Sequence, residues 1–318
     1  MIETIARVNL MVNEVLKIKK NRLTPDVLTG NEKRISIVSG IYGDEIQGQY
    51  VCYELIKRIR KDFKSLKGIV DVYPFVNPLA LEAKTREIPG IELDMNEMFP
   101  GAKSGTMGEY VANCVLEDIL SEEEGPSTSF CLDVHGSNMY LHEILQIRLN
   151  DDVVEDVMPF ATKLNTDMIW IHPSTQVRDG SLVYELNKRG IPACVTESGY
   201  AYKIFPDYGD QLVDGILALM KSMDMWDGDV PETTRRTSVY HDSQVSYINS
   251  ESSGVFIPKA KVHDRVEAGM KIGTVIDVLT GSTEEVILAP RKGTISAIRE
   301  YPAIEVGSIL ARIVGGRV

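Results

Sequence analysis

Short apolar stretches alternate with amphipathic stretches over roughly the first 200 residues of the chain. The apolar stretches predict buried strands at RISIVSG (34–40), GIVDVYPFVNP (68–78), SFCLDVHG (129–136), ILQIRL, DMIWIH and IPACVTESG. The amphipathic stretches predict helices after Glu45, through GTMGEYVANCVLEDILSEEE, around 181–189 and around 211–223. Such alternation of strands and helices predicts an α/β domain with a mostly parallel or mixed sheet.

The pattern changes near residues 227–231, in the polar, proline-bearing segment DGDVPETTRRTS. Short strands and glycines follow, and no helical period is evident. This pattern of short strands and glycines predicts a small all-β domain, either a sandwich or a partial barrel. The expected division is therefore an α/β domain at 1–228 and a β domain at 229–318.

The net charge of −12 and the pI of about 5.0 argue against a nucleic-acid partner, because such binding depends on clustered Lys and Arg. The N-terminus lacks the pattern of a signal peptide, and no apolar run is long enough for a membrane span. Cys52, Cys114, Cys131 and Cys194 form no CxxC pair and are expected to be buried free thiols. We expect a cytoplasmic protein with a small-molecule substrate. The sequence leaves open whether the chain forms a homo-oligomer or binds a paralogous partner.

Three ionisable residues stand where predicted strands end. Glu45 follows the first core strand, His135 ends CLDVH, and Glu197 ends IPACVTESG. Asp133 precedes His135 by two residues and so shares its side of the strand. Because ligands gather at the carboxyl ends of strands in open α/β sheets, these residues form a candidate metal site with a general base. Taken singly, each has a plainer interpretation: a charge at a helix N-terminus, a hydrogen-bonded structural histidine, or a surface turn.

The remaining histidines are weaker candidates. His142 could approach the cleft from a loop or hairpin, although an exposed or capping role is favoured. His172 ends a strand and is a further cleft candidate, whereas His241 and His263 are expected at the surface of the β domain.

Several motifs, in order, resemble the succinylglutamate desuccinylase/aspartoacylase family, a branch of the zinc carboxypeptidase fold. That family carries a G-x-H-G-x-E loop, an N-P segment, an R…D-L-N-R-x-F-P-G stretch, D-x-H, E-x-G and a C-terminal β domain. The matching segments here are GIYGDE (40–45), NPLALEAKTREIPGIELDMNEMFPG (77–101), DVHG (133–136), ESG (197–199) and SSGVFIPKAKVHDRVEAGMKIGTV…APRKGTI. The resemblance covers nearly the whole chain and implies a zinc-carboxypeptidase-like domain plus the β domain.

The resemblance also implies zinc-dependent hydrolysis of an N-acyl amide. Glu45 and His135 match two of the family's three metal ligands, and Glu197 matches the general base that activates the metal-bound water. Arg86 matches an arginine that polarises the scissile carbonyl, and Asn96 belongs to the substrate-binding stretch. Zinc lowers the pKa of its bound water to about 7, and an arginine stabilises the resulting oxyanion, so these roles are chemically coherent.

Tyr42 stands where the family has its first zinc histidine. A phenol must lose a proton with a pKa near 10 before it binds zinc, whereas imidazole binds as a neutral ligand. Zinc affinity is therefore expected to fall greatly. A different divalent metal, ferric iron with a phenolate, or replacement of the missing nitrogen by His142 are the alternatives left open.

Glu97 stands where the family has an arginine that grips the substrate's carboxylate. This charge reversal argues against an acidic acyl group and favours a substrate with an amine or other cation nearby. In the alternative, Glu97 pairs with a neighbouring cation, such as Arg86, and closes the site.

Two functional hypotheses follow. One is a metal-dependent amidohydrolase or deacylase with altered metal chemistry and a substrate whose acyl group is not acidic. The other is a non-catalytic relative, disabled at Tyr42 and without a cofactor, that acts as a binding or regulatory partner.

Overall fold

The computed structural model describes residues 1–123, 125–173, 180–232 and 237–315. Among them, seventeen strands are present: β1 Ile2–Asn9, β2 Val15–Leu23, β3 Arg34–Ser39, β4 Ile69–Tyr73, β5 Thr128–Val134, β6 Leu141–Asn150, β7 Met168–His172, β8 Ala193–Gly199, β9 Ser238–His241, β10 Val245–Asn249, β11 Gly254–Pro258, β12 Arg265–Val266, β13 Lys271–Asp277, β14 Ser282–Leu288, β15 Gly293–Arg299, β16 Ala303–Ile304 and β17 Ile309–Val314. Six α-helices accompany them: α1 Gln47–Lys61, α2 Pro78–Ala83, α3 Met107–Leu120, α4 Val154–Ala161, α5 Leu182–Lys188 and α6 Pro206–Ser222.

Most of the strands belong to one mixed sheet of 13 strands, whose main path runs β1-β2-β4-β3-β5-β8-β6-β15-β17-β10. The central strands β4, β3, β5 and β8 are parallel, and β6 joins β8 in the antiparallel sense. Strand β7 pairs with β6 and β9 off this path. The predicted strands at 34–40, 68–78, 129–136 and in the later apolar segments are all confirmed within these bounds.

Helices cover both faces of the central strands. On one face, α1 and α6 bury Val51, Leu55 and Ile216 against the sheet. On the other face, α3 and α5 bury a second apolar cluster, including Val115 and Leu186. Fully burying each side chain of this size contributes about 1.5–3 kcal/mol, which explains why the amphipathic periods predicted these helices correctly.

The N-terminal strands β1 and β2 have no counterpart in the sequence-based predictions. They pair with each other in antiparallel register, and β2 continues onto β4. In β1 the exposed and less exposed positions alternate, and only Ala6 is fully buried. A strand that buries so little apolar surface gives a weak periodic signal.

The described part of the C-terminal region consists of strands and turns apart from one short 3-10 helix, Asp242–Gln244, so its predicted β character is present. Strands β14-β13-β11-β16 form a separate four-stranded antiparallel sheet, whereas β15, β17 and β10 extend the large mixed sheet through β6. The boundary at residue 228 stays a prediction, and part of the predicted linker (233–236) lies outside the described residues. The predicted fold class, a mixed α/β sheet flanked by helices with an antiparallel C-terminal region, is confirmed.

Among the described residues, no helix combines the length and the apolar character that crossing a bilayer requires.

Candidate active site

The turn between β3 and α1 positions the first site residues. Gly40 has φ +75°, and a Cβ there would lie 2.8 Å from the carbonyl oxygen of Pro74. A Cβ on Gly43 would lie 2.0 Å from the backbone of Ala80, so only glycine permits the contact with α2. The amide of Asn77 donates to the carbonyl of Ile41 at 3.1 Å, and its oxygen caps α2. These constraints direct the turn, and hence Glu45, into the cleft.

Glu45, His135 and Asp133 form a chain of buried polar contacts. The Nδ1 atom of His135 lies 2.9 Å from Glu45 Oε2, and its Nε2 atom lies 3.0 Å from Asp133 Oδ2. Burial alone would lower the pKa of His135, but the carboxylates of Asp133 and Glu45 hold that pKa well above its usual value. The predicted pairing of Asp133 and His135 on one side of β5 is therefore present.

Tyr42 is packed between ionic groups beside this chain. Its hydroxyl donates to Asp94 Oδ2 at 3.2 Å, and its ring lies 5.1 Å from the ring of His135. The guanidinium of Arg86 lies 3.6 Å from the centroid of the Tyr42 ring and also contacts Glu45 at 3.4 Å and Asp94 at 3.3 Å. Arg86 thus bridges the carboxylates of Glu45 and Asp94.

These side chains can be tested against a zinc ion. Glu45 and His135 converge closely enough to share an ion, and Asp133 holds the far ring nitrogen, as carboxylates do behind zinc-bound histidines. Tyr42 does not complete the set, because burial raises the pKa of its hydroxyl far above the usual value. No group of three His, Cys, Asp or Glu side chains suited to a metal occurs among the described residues. The residues present fit two positions of a zinc site and not the third.

Glu197 lies at the carboxyl end of β8, in the same cleft as Glu45 and His135. Burial raises the pKa of its carboxyl to about 7, although the nearby Arg148 opposes the rise. The closest contact joins Glu197 Oε1 to Arg148 Nη1 at 3.4 Å. A carboxyl with this pKa is suited to accepting and returning a proton at neutral pH.

Arg148 belongs to an ionic triad that the sequence analysis missed. Its Nη2 atom donates to Glu143 at 2.8 Å and 3.1 Å, and Arg312 of β17 donates to the same carboxylate. Burial alone would raise the pKa of the Glu143 carboxyl, but the charges of Arg148 and Arg312 hold that pKa below its usual value. The hydroxyl of Ser137 also donates to Glu143, at 3.1 Å.

A β-bulge explains how Glu143 and Arg148 reach the same cleft from one strand. They are five positions apart, so regular alternation would place them on opposite faces of β6. In the pairing of β6 with β8, however, Glu143 faces Gly199 and Gln146 faces Glu197, which leaves one extra residue in β6. Such a bulge reverses the alternation beyond it.

His142 does not occupy the position that the sequence analysis left open for it. His142 lies within β6 and contacts Glu300 at 3.4 Å and the ring of Phe205, and it does not line the cleft, so it does not replace the missing nitrogen. His172 does line the cleft. His241 and His263 are exposed, as predicted.

The cleft has a volume of about 450 Å³ and brings together every predicted site residue. Asn96 and Glu97 lie on a short 3-10 helix, Met95–Glu97, and the Asn96 side chain accepts a bond from the backbone of Leu182 at 3.2 Å. The residues missed from sequence are Asp94, Asn138, Glu143, Arg148 and Arg312. For two of them a signal existed, since an arginine interrupts the apolar strand patterns of both ILQIRL and GSILARIV.

The fold and cleft define a mixed α/β protein with a carboxylate–imidazole centre and a nearby half-buried carboxyl. The family model for the succinylglutamate desuccinylase/aspartoacylase catalytic domain matches residues 31–223, more than half of the chain. The chain belongs to this family.

Relatives of known name and structure agree with this placement. N-alpha-acetyl-L-2,4-diaminobutyric acid deacetylase of Halomonas elongata is 22% identical over 299 residues, which cover 87% of this chain and 80% of that protein. A succinylglutamate desuccinylase/aspartoacylase from Rhodobacter sphaeroides has a TM-score of 0.79 at 21% identity, covering 98% of this chain and 94% of that one. The product-bound ectoine utilization protein EutE (DoeB) of Ruegeria pomeroyi has a TM-score of 0.78 at 17% identity, covering 95% and 90%. Proteins of this family are thus named as amide deacylases.

Proposed function

We propose that the protein is an amide deacylase that removes the acyl group from an N-acyl amino acid carrying a free amine. The observation that carries the proposal is Glu197, a half-buried carboxyl in the cleft, beside Glu45 and His135, with a pKa of about 7. General bases work best when their pKa lies near the working pH. Glu45, His135 and Arg86 surround the same space and would place the scissile amide beside it.

In the proposed reaction, Glu197 takes a proton from a water molecule, whose oxygen attacks the carbonyl carbon of the amide. Arg86 donates hydrogen bonds to the oxyanion that forms. The carbon–nitrogen bond then breaks as Glu197 returns the proton to the departing nitrogen. The products are a carboxylic acid and a free amine, so the atoms and charges balance.

Glu45 and His135 are the residues that would hold a zinc or other divalent ion, and such an ion would make bound water more acidic. Among the described residues, no third protein ligand completes this metal site, so the steps above use only the protein's own side chains and water. We propose instead that this position binds metal far more weakly than a complete three-ligand site.

The negative charge of Glu97 supports the proposed class of substrate. Glu97 lies in the cleft at the position where the family grips a carboxylate, and it favours a cationic group there. The relative from Halomonas elongata is named for an acetylated diamino acid, which bears a free amine and a carboxylate. That name supports a diamino-acid substrate for this chain.

A second candidate, a non-catalytic binding protein, is favoured by one observation. Arg86 stacks on Tyr42 and pairs with Glu45 and Asp94, so the family's metal position is occupied by mutually neutralised side chains. Such a cleft could bind a small molecule without hydrolysing it.

The test is acyl release from a panel of N-acetyl and N-succinyl amino acids, with and without a side-chain amine. The proposal predicts release from N-acetyl diamino acids and little from N-succinyl compounds. Binding of panel members with no release from any would contradict the deacylase and support the second candidate.

A further inference from the structure

Arginine side chains lie on two sides of the cleft, and they contact different numbers of carboxylates. On one side, Arg86 faces two carboxylates, Glu45 and Asp94, and stacks on Tyr42. On the other side, Arg148 and Arg312 share Glu143 as their hydrogen-bonded carboxylate, with Glu197 in looser contact at 3.4 Å from Arg148. The second side, where β6, β7 and β17 meet the cleft, therefore carries two guanidinium groups, whereas the first side carries one.

Several donors on this side have no hydrogen-bond partner among the described residues. They are the Nε atoms of Arg148 and Arg312 and the indole nitrogen of Trp170. The centroid of the Trp170 ring lies 5.6 Å from the guanidinium carbon of Arg148 and 5.3 Å from that of Arg312. Buried polar atoms of native proteins are usually paired, so a group of unpaired donors indicates room for an acceptor.

His172 adds to this set. It is 7% exposed, lines the cleft, and packs against Trp170 with ring centroids 4.2 Å apart and ring planes tilted by 31°. Neither ring nitrogen has a hydrogen-bond partner among the described residues, and the nearest carboxylate oxygen, on Asp242, is 3.8 Å away. Burial and then the charges of Arg148 and Arg312 lower the pKa of His172 to about 3, which is consistent with a positive local potential.

We propose that Arg148 and Arg312 form a subsite for a carboxylate of the substrate, with His172 as a neutral hydrogen-bonding neighbour. Guanidinium groups bind carboxylates through paired, charge-assisted hydrogen bonds. The assignment rests on the proposed deacylase function and identifies its substrate as one with a carboxylate at the β6–β17 side and an amine near Glu97. It also gives the C-terminal strands a direct role, because Arg312 lies on β17.

A purely structural triad is the competing explanation, since buried Arg–Glu–Arg clusters also occur where no ligand binds. The two explanations differ in ligand dependence. A structural triad stabilises the fold, and the affinity for a ligand then does not depend on whether the ligand carries a carboxylate. A carboxylate subsite discriminates between an acid and its carboxamide.

The experiment compares binding of matched acids and carboxamides by calorimetry, using L-2,4-diaminobutyrate, its N-acetyl derivative and the corresponding carboxamides. The intact protein should bind the acids about 10–100-fold more tightly than the carboxamides, as expected for one charge-assisted pairing. Arg312→Leu should remove this preference by weakening only the acids, while Arg312→Lys should keep part of it. Arg265→Leu, at an exposed position of strand β12 that does not line the cleft, serves as the matched control and should change neither affinity.

Equal binding of acids and carboxamides by the intact protein, or no binding of either, would overturn the subsite whatever Arg312→Leu does to folding. A preference for acids without any acyl release would leave the subsite in place and contradict only the deacylase. Loss of affinity for acids and carboxamides alike in a folded Arg312→Leu variant would assign the triad a structural role and overturn the proposal.

Discussion

The two sides of the cleft differ in how their ionisable side chains are paired. On the β3–β5 side, the Tyr42 hydroxyl donates to Asp94 and its ring packs against Arg86 and His135. On the β8–β6 side, Glu197 contacts Arg148 at 3.4 Å, and burial raises the pKa of its carboxyl to about 7. We propose that this difference leaves the second side able to transfer a proton while the first side binds metal only weakly.

The largest expected effect comes from Glu197. Glu197→Gln keeps the size of the side chain but cannot accept a proton, so acyl release should fall by about 10²–10⁴-fold. Binding of the substrate, measured by calorimetry, should change little. Unchanged turnover would show that the retained side of the cleft does not perform the chemistry.

The next effect is expected at Tyr42. Tyr42→His supplies the missing imidazole beside Glu45 and His135, and should increase zinc affinity by about 10–100-fold or more. Zinc titration followed by elemental analysis measures this. Tyr42→Phe is the control, since it keeps the ring that Arg86 covers but adds no ligand. Equal zinc affinity in all three proteins would contradict the view that Tyr42 weakens the metal position.

Reversing the charge at Glu97 should change substrate preference by a smaller factor. Glu97→Arg repels an amine and attracts a carboxylate, so the ratio of kcat/KM for N-succinyl over N-acetyl diamino acids should rise by about tenfold or more. The measurement is acyl release from both substrates in parallel. An unchanged ratio would mean that Glu97 does not contact the substrate.

The smallest effect concerns stability and pH. The folded state raises the pKa of Glu197 from 4.5 to about 7, so folding favours the protonated carboxyl. The cost of burying the carboxylate is absent below pH 4.5, grows between pH 4.5 and 7, and is complete above pH 7. Glu197→Gln removes this cost and should stabilise the fold by about 1–3 kcal/mol at pH 8, with little gain near pH 4.5. Denaturant unfolding at both pH values checks this, and a gain that is equal at both would exclude the buried carboxylate as its cause.

Much of the fold could be predicted because its elements bury wide apolar faces. The helix after Glu45, the strand ending at His135 and the all-β character beyond residue 238 all follow from local periodicity. The N-terminal hairpin could not be predicted, since β1 buries only Ala6 completely.

The candidate site was predictable where residues sit at strand ends or in motifs, and less so elsewhere. Glu45, His135 and Glu197 were found by position. Glu143 and Arg148 could not be placed together, because a bulge in β6 reverses the alternation between them. Arg312 reaches the cleft only through the pairing of β17 with β15 and β15 with β6, which no local pattern reveals.

The most direct test of the account is acetate release from an N-acetyl diamino acid as zinc is added to protein purified without chelators or a metal-binding tag. The account predicts release by the native protein whether or not zinc is added, release by Tyr42→His that changes as zinc binds, and essentially none in Glu197→Gln at any concentration. Release by Tyr42→His together with none by the native protein at any zinc concentration would contradict the account, and would identify the native protein as a binding protein whose catalytic centre has been disabled.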